Sequence, residues 1–450
     1  MIFHKLHYNT FMKKIKQPSV AGTFYTGNPA ELKNQIDMFA LNSKNTYEAK
    51  TRAVIVPHAG LVYSGQLAYE GISQLGKNIK NLFIFAPAHR VGFLGLALSS
   101  FDIWQTPFGE IEINQEINQE LINKFNAQYN DEAIQPEHAL EIQVPIIQKT
   151  FQDVKIIPIL IGQETPDIVE KIITEYYPNP EYGFIISSDL SHFHRNEDAV
   201  KIDNITAQMI ENGLTNRFSH EQACGATGII GLVNFANKNH FSLIRINMTN
   251  SSKTTGDKSS VVGYGCWFLY EGSKNEFIKK YYSKFIINLC KLSIKSKFET
   301  QEIELKFPQV FNEPGASFVT LEKNNILRGC IGSIIAHRTL IEDIAINAQN
   351  AAFNDPRFNP VQKEEIEQLH IDVSILSEPT PIEFDGEEDL LNKIKPFEDG
   401  IIIKDGNYQA VYLPTVWEQL PDKKEFLNSL KRKAGLSPDY FSKTFEAYRF

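Results

Sequence analysis

An α/β domain built on a mixed sheet, followed by a separate α+β domain, is the architecture this sequence predicts. Three observations carry it. The 450 residues, 42% of them hydrophobic, exceed one ordinary core and suit two. Short, almost unbroken apolar runs alternate with helical spacing in the first part, and short strands mix with helices after a polar break near residue 272.

The apolar runs are RAVIVP from Arg52, NLFIFAP from Asn81, VKIIPILIG from Val154 and YGFIISSD from Tyr182. Hydrophobicity without alternation marks strands buried on both faces, as in a parallel or mixed sheet covered by helices. PAELKNQIDMFAL from Pro29 and TPDIVEKIITEYY from Thr165 supply helical periodicity. The segment Asn247 to Ser260 reads as a polar loop, VVGYGCWFLY ending at Tyr270 as a last strand, and EGSKNE as a linker. Residues 1–272 and 273–450 are the expected domains. In the second, a helical stretch from Phe277 precedes SFVTL, the helix TLIEDIAINAQNAAF, IDVSILS, GIIIKDG and AVYLP.

A net charge of −9, with both signs scattered, offers no basic stripe for nucleic acid or anionic lipid. The N-terminal stretch breaks its apolar residues with His and Lys, and no later run approaches a spanning length, so a cytoplasmic protein without a membrane segment is expected. Cys224, Cys266, Cys290 and Cys330 form no CxxC pair, which fits reduced thiols. Nine of the eleven histidines, from His4 and His7 to His240, precede residue 271. Imidazole chemistry therefore belongs to the first domain.

His58 follows one buried strand in IVPHAG, and His89 another in IFAPAHR. Loops beyond the carboxyl ends of strands form the ligand crevice of open α/β sheets, so two such histidines can converge on a metal. SSDLSHFH places Asp189, His192 and His194 at the same rim, and Cys224 stands where a helix begins, a position that favours a thiolate. Read alone, a strand-end histidine is more often a hydrogen-bonded structural residue, and a single cysteine a small buried hydrophobe. His194, His220 and His240 lack strand-end context and read as structural or solvated. In EHALEIQVP, His138 and Glu141 share a helical face at i, i+3, lining a pocket or forming a structural pair. Tyr63 joins them as a pocket-lining candidate.

The ordered motifs VAGTFYTGNPAEL, IVPHAGLVYSG, FAPAHR, EHALEIQVP, IIPILIG, SSDLSHFH, ACGATGI and GDKSSVVGYG resemble the Memo family over nearly the whole first domain. Memo proteins look like class III extradiol dioxygenases, and the resemblance implies metal ligands at His58, His89 and Cys224, with His192 at the acid/base position; Asp189, in the same motif, is the residue read as fixing its tautomer. A thiolate replaces the dioxygenases' carboxylate. Iron(II) is the first expectation, copper gains from the soft ligand, and zinc ranks third. The resemblance implies a dioxygenase-like oxidoreductase. The alternatives are a metal carrier without turnover and a peptide-binding adaptor.

From about residue 275, EPGASFVTLEKNNILRGCIGS, NAAFNDPRF, IDVSILSEP, GIIIKDG, AVYLPTVW and LKRKAGL resemble the AMMECR family. Arg328 and Cys330 in RGCIG, with Asp355 and Arg357 downstream, are the candidate residues there: an activated thiol or ligand handle, against simple packing. The two families are associated with a radical S-adenosylmethionine protein. This chain has no CxxxCxxC motif, so that protein is expected as a separate partner.

Overall fold

The computed structural model describes residues 13–43, 47–216, 218–299, 307–377 and 379–450. His4 and His7 lie outside them. The chain divides into two compact units, the first ending at Phe277 and the second beginning at Ile278.

The first unit is organised by a nine-stranded sheet. Its strands are β1 (Ala53–Val56), β2 (Asn81–Pro87), β3 (Leu96–Leu98), β4 (Gln128–Tyr129), β5 (Lys155–Ile161), β6 (Tyr182–Ser187), β7 (His192–His194), β8 (Ser242–Asn250) and β9 (Val261–Tyr270). Their order is β7-β9-β1-β6-β2-β5-β3-β4, with β8 on β9. The centre is parallel: β1 pairs with β6, and β2 with both β5 and β6. β9 joins β1, and β3 joins β5, antiparallel, so the sheet is mixed. The four apolar runs read in the sequence are β1, β2, β5 and β6.

Both faces of these central strands are covered, which is why they are apolar without alternation. Phe83, Phe85, Ile157, Ile159, Phe184 and Ile186 pack with Val169, Ile172 and Ile173 of helix Pro166–Tyr176 and with Ile229, Leu232 and Val233 of helix Ala226–Lys238. Helix Leu61–Gln74 lies on the other face, so close that a Cβ on Gly71 would meet Val56. Each large side chain buried here stabilises by roughly 1.5–3 kcal/mol.

One expectation changes. The polar segment from Asn247 is not a loop throughout: β8 runs to Asn250 because each residue from Asn247 on finds a partner on β9, ending at Asn250 opposite Gly263. EGSKNE, read as a linker, makes hydrogen bonds of its own. The Glu271 carboxylate accepts from Arg52 and the Tyr177 hydroxyl, while Ser273 and Glu276 cap helix Lys274–Lys295. A helix cap and a linker share one polar composition.

The second unit holds an antiparallel three-stranded sheet, with Ala316–Lys323 between Ile326–Gly332 and Leu369–Leu376, packed against helix Leu340–Phe353. A four-stranded sheet follows, its core formed around Trp417 and Phe426, whose rings stack at 3.6 Å. Among the described residues, no helix is long and apolar enough to cross a membrane.

Candidate metal centre

Because β1, β2 and β6 are parallel neighbours, their carboxyl ends lie at one end of the sheet. His58, His89 and Asp189 each follow the last strand residue, Val56, Pro87 or Ser187, by two positions. Three loops thus deliver polar side chains to one place, as the topology of an open α/β sheet favours.

Hydrogen bonds fix which histidine nitrogens face that place. Ser187 Oγ donates its single proton to the Ala139 carbonyl at 2.7 Å and accepts from Gln143 Nε2 at 3.0 Å. Toward His58 Nδ1, 3.1 Å away, it can only accept. His58 therefore carries its proton on Nδ1 and leaves Nε2 bare. His89 Nδ1 lies 2.9 Å from Glu137 Oε1, a carboxylate acceptor, so Nδ1 carries a proton and Nε2 is the ring nitrogen turned away from Glu137. Glu137 Oε2 also accepts the His89 backbone N–H at 2.8 Å. His138 Nδ1 stands 3.1 Å from Glu137 Oε1, too oblique for a hydrogen bond, and is otherwise without a partner.

The three imidazoles converge. One ligand nitrogen from each of His58, His89 and His138 lies within 4.8 Å of the others, with ring centroids 5.0 Å apart for His58 and His89 and 4.8 Å for His89 and His138. A bare Nε2 on His58, with one nitrogen each from His89 and His138 close to it, is a donor set that suits a divalent ion.

The electrostatics agree. Burial, then the charges of His89 and His138, drive His58 well below its ordinary value, so it stays neutral. Burial alone would raise the Glu137 carboxyl, but the imidazoles of His138 and His89 against it hold it well below the usual carboxylate range. Burial pushes Asp189 up to about 7 and, with the charge of Asp189, the Cys224 thiol up to about 12. Burial also lowers His192.

The structure places Cys224 Sγ 3.3 Å from His58 Nε2, yet outside the tight cluster of three imidazoles. Cys224 precedes the helix that starts at Ala226, and Gly225 after it approaches Ser188 so closely that a Cβ there would stand 2.6 Å from the Ser188 Cβ. His138, expected only to line a pocket, supplies the third imidazole. Asp189 Oδ1 accepts the His58 backbone N–H at 2.8 Å, and it is His58 rather than His192 that this carboxylate holds.

Asp189 and His192 share an open cleft of about 440 Å³ with Tyr63, His138, Phe24 and Phe193. Glu141, in contrast, points into the protein. It takes an ion pair from Lys16 at 2.6 Å and accepts the Ser19 and Val20 N–H groups and the Tyr25 hydroxyl. It anchors the segment that sets Phe24 against His138, ring to ring at 4.5 Å. The i, i+3 spacing does not put both residues on the cleft, because helix His138–Glu141 is a single turn whose two ends look different ways.

Sequence reasoning missed Glu137, Ser187 and Gln143, which orient the imidazoles. The available signal was the carboxylate adjoining His138 in the same motif. His220, read as structural, lines a second cleft with Cys224 and His89. His194 and His240 stay exposed.

In the second unit, Arg328 is tied to Glu365 at 3.1 Å and to the Asn359 carbonyl at 2.7 Å. Asp355 accepts the Cys330 N–H at 2.9 Å and pairs with Arg357 at 2.7 Å, which holds the Asp355 carboxyl well below its usual range. Thr320 Oγ1 lies 3.3 Å from Cys330 Sγ. These residues clamp the NDPRF loop onto the strand of RGCIG. Gly329 allows it, since a Cβ there would collide with the Ala351 carbonyl.

The profile of the family described as Memo-like protein matches residues 16–268, and that of AMMECR1 residues 287–450. A MEMO1 family protein of Sulfurisphaera tokodaii is 31% identical over 276 residues, covering 56% of this chain and 97% of that protein. One from Aquifex aeolicus is 28% identical over 262 residues, with 56% and 97% covered. A solved structure, the uncharacterized protein PH0010 from Pyrococcus horikoshii, is 36% identical over 37% of this chain and 86% of its own, with a TM-score of 0.35.

Proposed function

The chain belongs to the Memo-like protein family, with an AMMECR1 domain following in tandem, and from this premise we propose that its first unit is a metal-dependent, dioxygenase-like oxidoreductase. The observation that carries the reading is the gathering of His58, His89 and His138 at the strand ends, with the Nδ1 atoms of two of them directed to Ser187 and Glu137. Those three residues hold the ion, and Cys224 adjoins it. Iron(II) is the first choice, and copper, favoured by the sulfur, the second. A bound redox-active ion supplies Lewis acidity and electron exchange with dioxygen or an oxygen-bearing ligand.

The protein's own groups do the rest. His89 and His58 are oriented by their Nδ1 partners. The cleft of Phe24, Tyr63, Phe193 and Tyr264 binds an organic substrate by its apolar faces. His192, in that cleft and held below its ordinary value by burial, takes and returns a proton. The second unit serves a partner, for which we propose a separate radical S-adenosylmethionine protein.

The test is metal analysis of full-length protein purified without oxygen, followed by oxygen uptake against a panel of phenols. We expect one ion per chain in the wild type, loss of it in His58→Ala and His89→Ala, and retained ion without turnover in His192→Ala. Full occupancy in either ligand variant overturns the site. A retained ion with no uptake for any substrate favours the carrier reading instead.

A further inference from the structure

In the second unit, helix Leu340–Phe353 lies against one face of the three-stranded sheet, where a Cβ on Gly329 would meet the Ala351 carbonyl oxygen. Side chains alternate along a strand, so Cys330 stands on the opposite face, with Thr320 its partner on the central strand. Asp372, exposed and paired with Thr320 from the far strand, is one strand further away. Lys433, the last residue of helix Lys423–Lys433, comes to this place from the C-terminal part of the unit. Its Nζ donates to the Val411 carbonyl at 3.0 Å and lies over the Tyr412 ring, with no carboxylate partner among the described residues.

Three segments bring polar groups to the Cys330 sulfur. Thr320 Oγ1 donates to Sγ at 3.3 Å. The Arg357 guanidinium donates to the Cys330 carbonyl at 3.2 Å and also hydrogen-bonds the thiol. The Lys433 ammonium acts electrostatically on the same side chain. Asp355, by contrast, is buried and fully engaged, since it takes the Cys330 N–H at 2.9 Å and two side-chain N–H groups of Arg357. The half-buried sulfur thus faces donors and positive charge.

We propose that Cys330 is a modification site for small anionic disulfides, with Arg357 and Lys433 drawing in the reagent's carboxylates and Thr320 holding the sulfur. A thiolate is the attacking form of a cysteine, and positive charge beside it steers an anion toward it. Cys330 yields its proton, and its sulfur attacks one sulfur of the incoming disulfide. The old S–S bond breaks as the new one forms, and the leaving half departs as a thiolate that takes up the proton. The Cys330 sulfur is oxidised and the leaving sulfur reduced, so the disulfide is itself the oxidant. Cys266 and Cys290 are 0% exposed and out of reach of such a reagent. The reaction involves no group of the first unit.

The experiment treats full-length protein with oxidised glutathione, an anionic disulfide, or with cystamine, a cationic one, and follows the adduct on each cysteine by peptide mass. The same chain unfolded in urea gives the intrinsic rates of the two reagents. Relative to the unfolded chain, Cys330 in the folded protein should favour glutathione over cystamine by about tenfold at low salt, the lower end of electrostatic steering. High salt should shrink that preference. Lys433→Met should cut it about threefold, and Lys433→Arg should keep it, with circular dichroism confirming the fold. No adduct on Cys330, an adduct confined to Cys224, or equal or reversed preference overturns the site. So does a preference that Lys433→Met leaves unchanged in folded protein. If Lys433→Met does not fold, the salt dependence of the wild-type preference decides, and a preference indifferent to salt overturns the proposal.

Discussion

Glu137→Gln is the substitution that most directly examines how the site is built. The native carboxylate accepts three hydrogen bonds: Oε2 takes the His89 backbone N–H at 2.8 Å, and Oε1 takes His89 Nδ1–H at 2.9 Å and the Ala139 N–H at 3.1 Å. An amide has one oxygen and one NH2 group. With its oxygen toward the ring, the NH2 faces the His89 backbone N–H, donor against donor. With its oxygen toward the backbone, the NH2 faces His89 Nδ1 and drives the ring proton onto Nε2, the nitrogen meant for the ion. Either arrangement removes an orienting contact while leaving the three imidazoles in place. Outer-shell substitutions of this kind weaken metal affinity by about 10- to 100-fold, or roughly 1.4–2.7 kcal/mol. Chelator competition on the purified variant measures it, with circular dichroism confirming the fold. A folded variant whose affinity stays within about threefold of wild type, against the loss expected of a true outer-shell partner, refutes the role given to Glu137.

Lys16→Met should destabilise the first unit by about 3–5 kcal/mol, because Glu141 loses its counter-ion in the interior; the native side chains are 1% and 2% exposed, and denaturant unfolding reads the loss. Phe193→Gly should stabilise by about 1–2 kcal/mol, since Phe193 holds φ of 61° with a side chain largely in solvent, and a lowered melting temperature would contradict this. In the second unit, the Gln362 N–H, Arg328 and Lys323 lower the Glu365 carboxyl from 4.5 to about 2. The contribution is present above the unfolded value of 4.5 and is lost as pH falls toward about 2. Glu365→Gln should therefore flatten the acid limb of the stability profile in that window, and an unchanged limb would count against it.

The sequence by itself determined the strands and where the chemistry sits along them. The runs at Arg52, Asn81, Val154 and Tyr182 are apolar because both faces are buried, and that composition is legible without a partner in view. His58 and His89 were legible for a related reason: a residue two positions past a buried parallel strand must emerge at the crevice. The family motifs added the tandem of domains.

Tertiary structure alone brought the three imidazoles together. His138 and Glu141 occupy one helical turn and look equivalent in sequence, yet His138 joins two imidazoles and Glu141 meets Lys16, because the two side chains leave the turn toward different neighbours. The tautomers of His58 and His89 depend on Ser187 and Glu137, which lie 129 and 48 positions away along the chain. Local periodicity reports which residues are buried, but a metal site is set by the directions of lone pairs, and those are fixed by hydrogen bonds between segments that only folding brings together.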